Sequence, residues 1–233
     1  RNYECEITQR FVAYRSICRP INYKVIAPIE DILNEDIEFR KENNLSDKPI
    51  IAILPGSRKQ EIAKMLSVML SIVDDFPEYQ FVIAGAPSQE YSFYSAFLTS
   101  DNCHFISNRT YDLLSISYAA LVTSGTATLE TALFKVPEVV CYKGSWLSYQ
   151  IAKRIVTLKY ISLVNLIMDK EVVTELIQEN LNSNSLKIEL QKLLDLKYRS
   201  EILENYNSLE MKLGGSGASQ KTAKLIVSNL QKI

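Results

Sequence analysis

From residue 50 onward the chain alternates between two hydrophobic rhythms. Short β-rich runs at 50–54, 80–84, 104–106, 120–123 and 138–142 are separated by stretches in which apolar positions recur every three or four residues. Compact apolar runs predict strands buried on both faces, and the longer spacing predicts amphipathic helices laid against them. The clearest helix follows the first run, where Ile62, Met65, Leu66, Met69, Leu70 and Val73 share one face. Residues 110–118 and 125–135 read as helices by the same test. Strand and helix in alternation predict a parallel sheet with crossover helices, an α/β Rossmann-like domain over residues 50–168.

After Ser145 the strand signal largely stops. Leu147, Ile151, Ile155 and Leu158 line up as a helix face, and 170–178, 186–194, 198–212 and 218–230 also read as helical, so 169–233 is expected to form a helical C-terminal tail. Gly214-Gly-Ser-Gly217 interrupts it. With no strand before it, this run reads as a hinge between helices rather than a phosphate loop, and Ser219 can cap the last helix. Residues 1–49 form a leader of unassigned role, with a candidate strand at 23–26 and a charged, weakly periodic stretch at 29–43.

Composition narrows the function more than the fold. A chain of 233 residues with 47% apolar content can bury a real core. The 27 acidic and 26 basic side chains nearly cancel, and no basic block appears, so nucleic acid is not an expected partner. Cys5, Cys18, Cys103 and Cys141 form no C-x-x-C pair, and the single His104 has no partner at metal spacing, so reduced, buried thiols are expected and no metal site. No apolar run reaches bilayer length, so a soluble or peripheral chain is expected. The chain begins with Arg1 rather than Met and reads as a fragment or an incompletely ordered chain.

Two strand-to-helix corners carry the candidate chemistry. In Leu54-Pro-Gly-Ser-Arg-Lys-Gln-Glu61 the first strand feeds a turn at Gly56-Ser57, and Ser57 with Gln60 has the spacing of a capping box. Backbone N–H groups at such a helix start suit an anion, and Arg58 can add its guanidinium to the same oxygens. Taken alone, an ordinary turn explains this corner equally well. The second corner is Leu121-Val-Thr-Ser-Gly-Thr-Ala-Thr-Leu-Glu130, where Ser124, Gly125 and Thr126 offer N–H and O–H donors at the end of another strand. Two corners in one sheet can grip one diphosphate. Glu130, further along the second helix, is either a ribose-binding carboxylate or a solvated helix residue.

With Tyr160-Ile-Ser-Leu-Val-Asn-Leu-Ile167 and the Val139-Val-Cys-Tyr-Lys143 strand, these strings resemble, in order and spacing, the lipid-A-disaccharide synthase family of inverting, GT-B-type glycosyltransferases from Gram-negative bacteria. The resemblance covers roughly residues 50–230. It implies transfer of 2,3-diacylglucosamine from UDP-2,3-diacylglucosamine to 2,3-diacylglucosamine 1-phosphate, with release of UDP and with no metal or other cofactor. In that scheme Gly56, Ser57, Ser124, Gly125 and Thr126 hold the diphosphate, Glu130 binds ribose, Arg58 offsets charge on the leaving group and Asn165 orients phosphate or sugar hydroxyls. Val164 stands where the family commonly has Pro, and Ile26-Ala-Pro-Ile-Glu-Asp-Ile32 takes the place of its Gly-His-Pro element. The chain looks like the donor-binding half, with the acceptor half and the catalytic base expected from an N-terminal domain not recognisable in residues 1–49.

The resemblance also implies a cytoplasmic enzyme, peripheral on the inner membrane; an oligomer is compatible with it. Trp146, Tyr149, Lys153, Arg154, Lys159 and Tyr160 form a basic, aromatic stretch that suits anionic lipid. A core-packed amphipathic helix explains the same stretch. Two rival functions stay open: another UDP-sugar enzyme such as a UDP-N-acetylglucosamine 2-epimerase or a peptidoglycan glycosyltransferase, and a non-catalytic nucleotide-binding module.

Overall fold

A computed structural model describes residues 29–144, 159–214 and 227–228, with side-chain surroundings from residue 36 onward. Helix α1 (Ile29–Glu42) precedes β1 (Ile50–Leu54), α2 (Lys59–Met69), a 3-10 turn at Leu70–Asp75 and β2 (Gln80–Gly85). There follow α3 (Tyr91–Ser95), β3 (Cys103–Ser107), α4 (Thr110–Ile116), β4 (Ser117–Thr123), α5 (Thr126–Leu133) and β5 (Glu138–Tyr142). Beyond residue 158 come α6 (Leu163–Met168), β6 (Glu175–Ile177), α7 (Ser183–Leu194) and α8 (Leu196–Lys212). The candidate strand at 23–26, the stretch 145–158 and the Gly215-Ser-Gly217 part of the hinge lie outside the described residues, as does all of the expected last helix except residues 227–228.

Six parallel strands run in the order β3-β2-β1-β4-β5-β6, so chain order reverses between β1 and β4. All five strands read from the apolar runs are present. Successive side chains on a strand point to opposite faces, and here they feed two cores. Ile51, Ile53, Phe81, Ile83 and Leu121 meet α2, α7 and α8 on one face. Ile50, Ala52, Leu54, Val82 and Val122 meet α1 and α4 on the other, through Phe39, Leu113 and Leu114. This two-sided burial explains why the inner strands β1, β2, β4 and β5 read as near-continuous apolar runs.

Two expectations need correction. Residues 170–178 are not helical: Glu175–Ile177 form β6, in register with Val140, Cys141 and Tyr142 of β5, and a 3-10 turn follows at Gln178–Asn180. Val172, Val173 and Leu176, all buried, happen to have helix-like spacing, which hid a three-residue edge strand. The tail after residue 168 is therefore not purely helical, and Leu186, Leu190 and Leu193 of α7 share the core beneath the sheet. At the other end, Arg40 is buried and donates to Asp36 Oδ1 (2.8 Å), Ser46 O (2.8 Å) and Lys48 O (3.1 Å). It pins the polar connection into β1 and makes α1 part of the packed domain.

Candidate functional site

Both corners sit at the carboxyl ends of β1 and β4, the neighbouring strands at which chain order reverses. Open α/β sheets bind ligands in the crevice at that switch point, because the connections leave in opposite directions there.

At the first corner Gly56 has φ +104°, a left-handed backbone that side chains rarely adopt. A Cβ at Gly56 would lie 2.5 Å from Glu61 Oε2, so the Glu61 carboxylate is folded back over this glycine. The expected capping box is absent. Helix α2 starts at Lys59, its N-cap is Arg58 in an extended conformation, and no side chain caps it. Ser57 lies one residue too early for that role, and its carbonyl instead accepts from Ser88 Oγ (3.0 Å), tying the corner to the loop after β2. The first backbone bond of the helix runs from Ile62 N to Arg58 O (2.9 Å), leaving the N–H groups of residues 59–61 without helical acceptors. Ser57 and Arg58 are exposed there.

The second corner is held more firmly. Ser124 donates its N–H to Cys141 O (3.0 Å) and its hydroxyl to Ile161 O (3.1 Å), so both of its donors are committed to the protein. Ser124, expected at the diphosphate, here anchors the turn. Gly125 is the N-cap of α5 in an extended conformation (φ 165°), and Thr128 returns both N–H and hydroxyl to Gly125 O at 3.3 and 2.8 Å. A Cβ on Gly125 would meet nothing closer than Thr123 O at 3.9 Å, so the protein itself leaves room there. Gly125 and Thr126 are exposed at the start of α5, with their N–H groups directed out of the helix.

Glu130 lies on α5 beside a cleft of about 430 Å³, lined also by Pro87, by Asn108 and Arg109 of the loop after β3, and by Thr110–Asp112 of the first turn of α4. Its Oε1 accepts from the Tyr111 hydroxyl (3.2 Å), and the Tyr111 ring stacks on Phe134 with centroids 5.4 Å apart. Arg109 in the same loop pairs with Asp112 (2.7 Å) and Glu42 (2.5 Å) and lies over the Phe39 ring, fastening α1 to the cleft wall. Sequence reasoning missed Tyr111 and Arg109. Their signal is positional: Asn108-Arg109-Thr110 follows a strand just as the other two corners do.

Asn165 is fully buried, and its amide is spent inside the protein. Nδ2 donates to Val173 O (2.8 Å) and Glu175 Oε1 (2.9 Å), while Oδ1 accepts from Val172 N (2.7 Å) and Val173 N (3.0 Å). Two donors and two acceptor positions are all an amide side chain has. Asn165, expected to orient phosphate or sugar hydroxyls, here joins α6 to β6. Glu175, also unforeseen, completes that joint by accepting from Ile161 N (2.8 Å) and Ser162 N (2.9 Å).

The remaining titratable candidates are the buried Cys103 and Cys141 and the half-buried His104. Burial raises the Cys103 thiol to about 12 and pushes Cys141 higher, so both are inert thiols, and burial also lowers His104. Among the described residues no group of three or more His, Cys, Asp or Glu side chains could hold a metal ion.

Strand order and paired corners define a class, the doubly wound α/β domain with its ligand crevice at the switch point. The solved wall teichoic acid polymerase TagF shares this fold with a TM-score of 0.54 at 18% identity, over 97% of this chain and 51% of that one. Within the class, the family model described as lipid-A-disaccharide synthetase matches residues 28–229. The lipid-A-disaccharide synthase of Coxiella burnetii (strain CbuG_Q212) is 36% identical over 195 residues, covering 81% of this chain and 52% of that protein. That of Syntrophus aciditrophicus (strain SB) is 31% identical over 220 residues, covering 91% and 57%. The chain belongs to the lipid-A-disaccharide synthetase family, and it spans about half the length of these curated relatives.

Proposed function

We propose that this chain is the donor-binding half of a lipid-A-disaccharide synthase, an inverting glycosyltransferase acting on UDP-2,3-diacylglucosamine. The observation that carries the reading is the pair of corners on β1 and β4, with a cleft of about 430 Å³ edged by Glu130 further along α5. The diphosphate lies across the N–H groups of Gly125 and Thr126 and the start of α2, where helix ends favour negative charge. Gly56 and Ser57 shape the α2 corner, and Arg58 approaches the same oxygens. Glu130 receives the ribose hydroxyls, exchanging its Tyr111 contact for them.

In the transfer, the 6-hydroxyl of 2,3-diacylglucosamine 1-phosphate attacks the donor's anomeric carbon as its bond to the diphosphate oxygen breaks. UDP leaves with the bonding electrons and the hydroxyl proton passes to a base in the facing acceptor half. Donors already oriented at the leaving group stabilise charge as it develops, without reorganisation at the moment of reaction. No helix among the described residues is long and apolar enough to cross a membrane. The acylated substrates place the chain at the inner-membrane surface as a peripheral protein.

Thermal unfolding with UDP tests the donor site. At one hundred times the dissociation constant, UDP stabilises the chain by about 2.7 kcal/mol. Glu130→Ala weakens UDP while leaving inorganic diphosphate binding nearly unchanged. No stabilisation by UDP, or equal loss of both ligands in the variant, overturns the assignment.

A further inference from the structure

One carboxylate on the edge strand organises the wall beside the second corner. Glu175 Oε2 accepts from Ile161 N–H at 2.8 Å; Oε1 accepts from Ser162 N–H at 2.9 Å and from Asn165 Nδ2 at 2.9 Å. Ile161, held by its N–H, turns its carbonyl to the Ser124 hydroxyl at 3.1 Å. Ser162 caps α6 by accepting from Asn165 N at 3.3 Å. Among the described residues no cation pairs with Glu175; all three of its donors are neutral N–H groups. Hydrogen bonds to an ionised acceptor are roughly twice as strong as neutral ones, so this carboxylate fixes the 161–162 loop more tightly than a neutral side chain would. The loop in turn fixes Ser124, and the next two residues carry the open N–H groups of the corner.

We propose that Glu175 is a positioning residue for the donor diphosphate. It acts through Ile161 and Ser124 to hold the Gly125 and Thr126 donors in place before the ligand arrives, with Asn165 orienting the carboxylate from behind. This rests on the reading of the β4 corner as the diphosphate subsite. It assigns Ser124 to the same chain of contacts rather than to the ligand. Preorganised donors lose little freedom on binding, and displacements of about 1 Å in such supports cost on the order of a hundredfold in well-studied sites.

Calorimetric titration of the full chain with UDP, inorganic diphosphate and uridine tests it. Glu175→Gln keeps the size but presents an NH₂ group to at least one of the three N–H donors. The expected result is about a tenfold loss of affinity for UDP and inorganic diphosphate, with uridine changed by less than about twofold. Ser124→Ala shows the same pattern, and the double variant is no weaker than the weaker single one, because both changes break one chain of contacts. Losses of UDP and uridine in equal proportion, or multiplying losses in the double variant, overturn the proposal. Should Glu175→Gln fail to fold, Ser124→Ala, which leaves the three Glu175 bonds intact, still must weaken UDP and spare uridine. A wild-type chain that binds uridine as well as UDP would instead overturn the diphosphate reading beneath it.

Discussion

At the scale of single residues, the two corners differ in what they leave open. The β4 corner presents exposed N–H groups at Gly125 and Thr126, whereas the β1 corner has the Glu61 carboxylate folded over Gly56. Acidic side chains in a first helical turn stabilise the helix by some 0.3–1 kcal/mol through its dipole. They also repel an incoming anion. Glu61→Gln is therefore expected to lower the melting temperature slightly and to tighten inorganic diphosphate and UDP by about fivefold, on the order of 1 kcal/mol. The gain shrinks at high salt, where screening already weakens the repulsion. Titration of both proteins at low and high ionic strength checks this, and unchanged or weaker binding in the variant would refute the competition. The residue types at the corners were legible in the sequence, because glycine, serine and threonine after an apolar run mark where a strand yields to a helix. Which donors stay open was not. Ser124 spends its hydroxyl on Ile161, 37 positions away, and its N–H on Cys141.

At the scale of elements, the apolar runs exposed β1, β2, β4 and β5 because these are buried on both faces and need no polar alternation, and the edge strand β3 through Phe105 and Ile106. β6 escaped because it is three residues long, sits at the sheet edge and begins with a charged residue. Side-chain hydrogen bonding adds to its apolar burial, with Asn165 binding Val172, Val173 and Glu175 across the joint to α6. A single Asn-to-partner set of this kind has no periodicity, so no hydrophobic pattern could reveal it. Asn165→Ala strands two backbone N–H groups and one carbonyl in a buried site. At about 1–3 kcal/mol for each unsatisfied buried group, the variant should lose roughly 3 kcal/mol or more. Urea unfolding measures the loss. A change below about 1 kcal/mol would mean that water reaches the joint and that β6 does not depend on it.

Across the whole molecule, the carboxyl edge of the sheet carries the proposed ligand site and the opposite edge carries a buried carboxyl. Glu138, the first residue of β5, is completely buried, and both its carboxyl oxygens lack a hydrogen-bond partner. Beside it lies the buried Tyr206 of α8, whose backbone carbonyl takes a bond from Lys135 Nζ (3.1 Å) while the same ammonium pairs with Glu210 (2.7 Å). Burial with no hydrogen-bond partner pushes the Glu138 carboxyl well above its ordinary 4.5, which favours its protonated form in the fold. The unfolded chain ionises this group near its ordinary value. Its contribution to stability is thus complete below about pH 4.5 and is lost as pH rises toward the folded-state value, at about 1.4 kcal/mol per pH unit. Tyr206 and Cys141, the titratable neighbours coupled to it, are pushed upward and do not ionise in that window. Glu138→Gln removes the proton from the balance, and any packing cost of the amide is the same at every pH. Relative to the wild-type chain, the variant should therefore gain more stability at pH 8 than at pH 5 by urea unfolding. Because Glu138 lies at the far edge of the sheet from the cleft, UDP affinity should stay unchanged. An equal stability difference at both pH values would mean that Glu138 is ionised in the fold, with water or a counter-ion reaching it under α8.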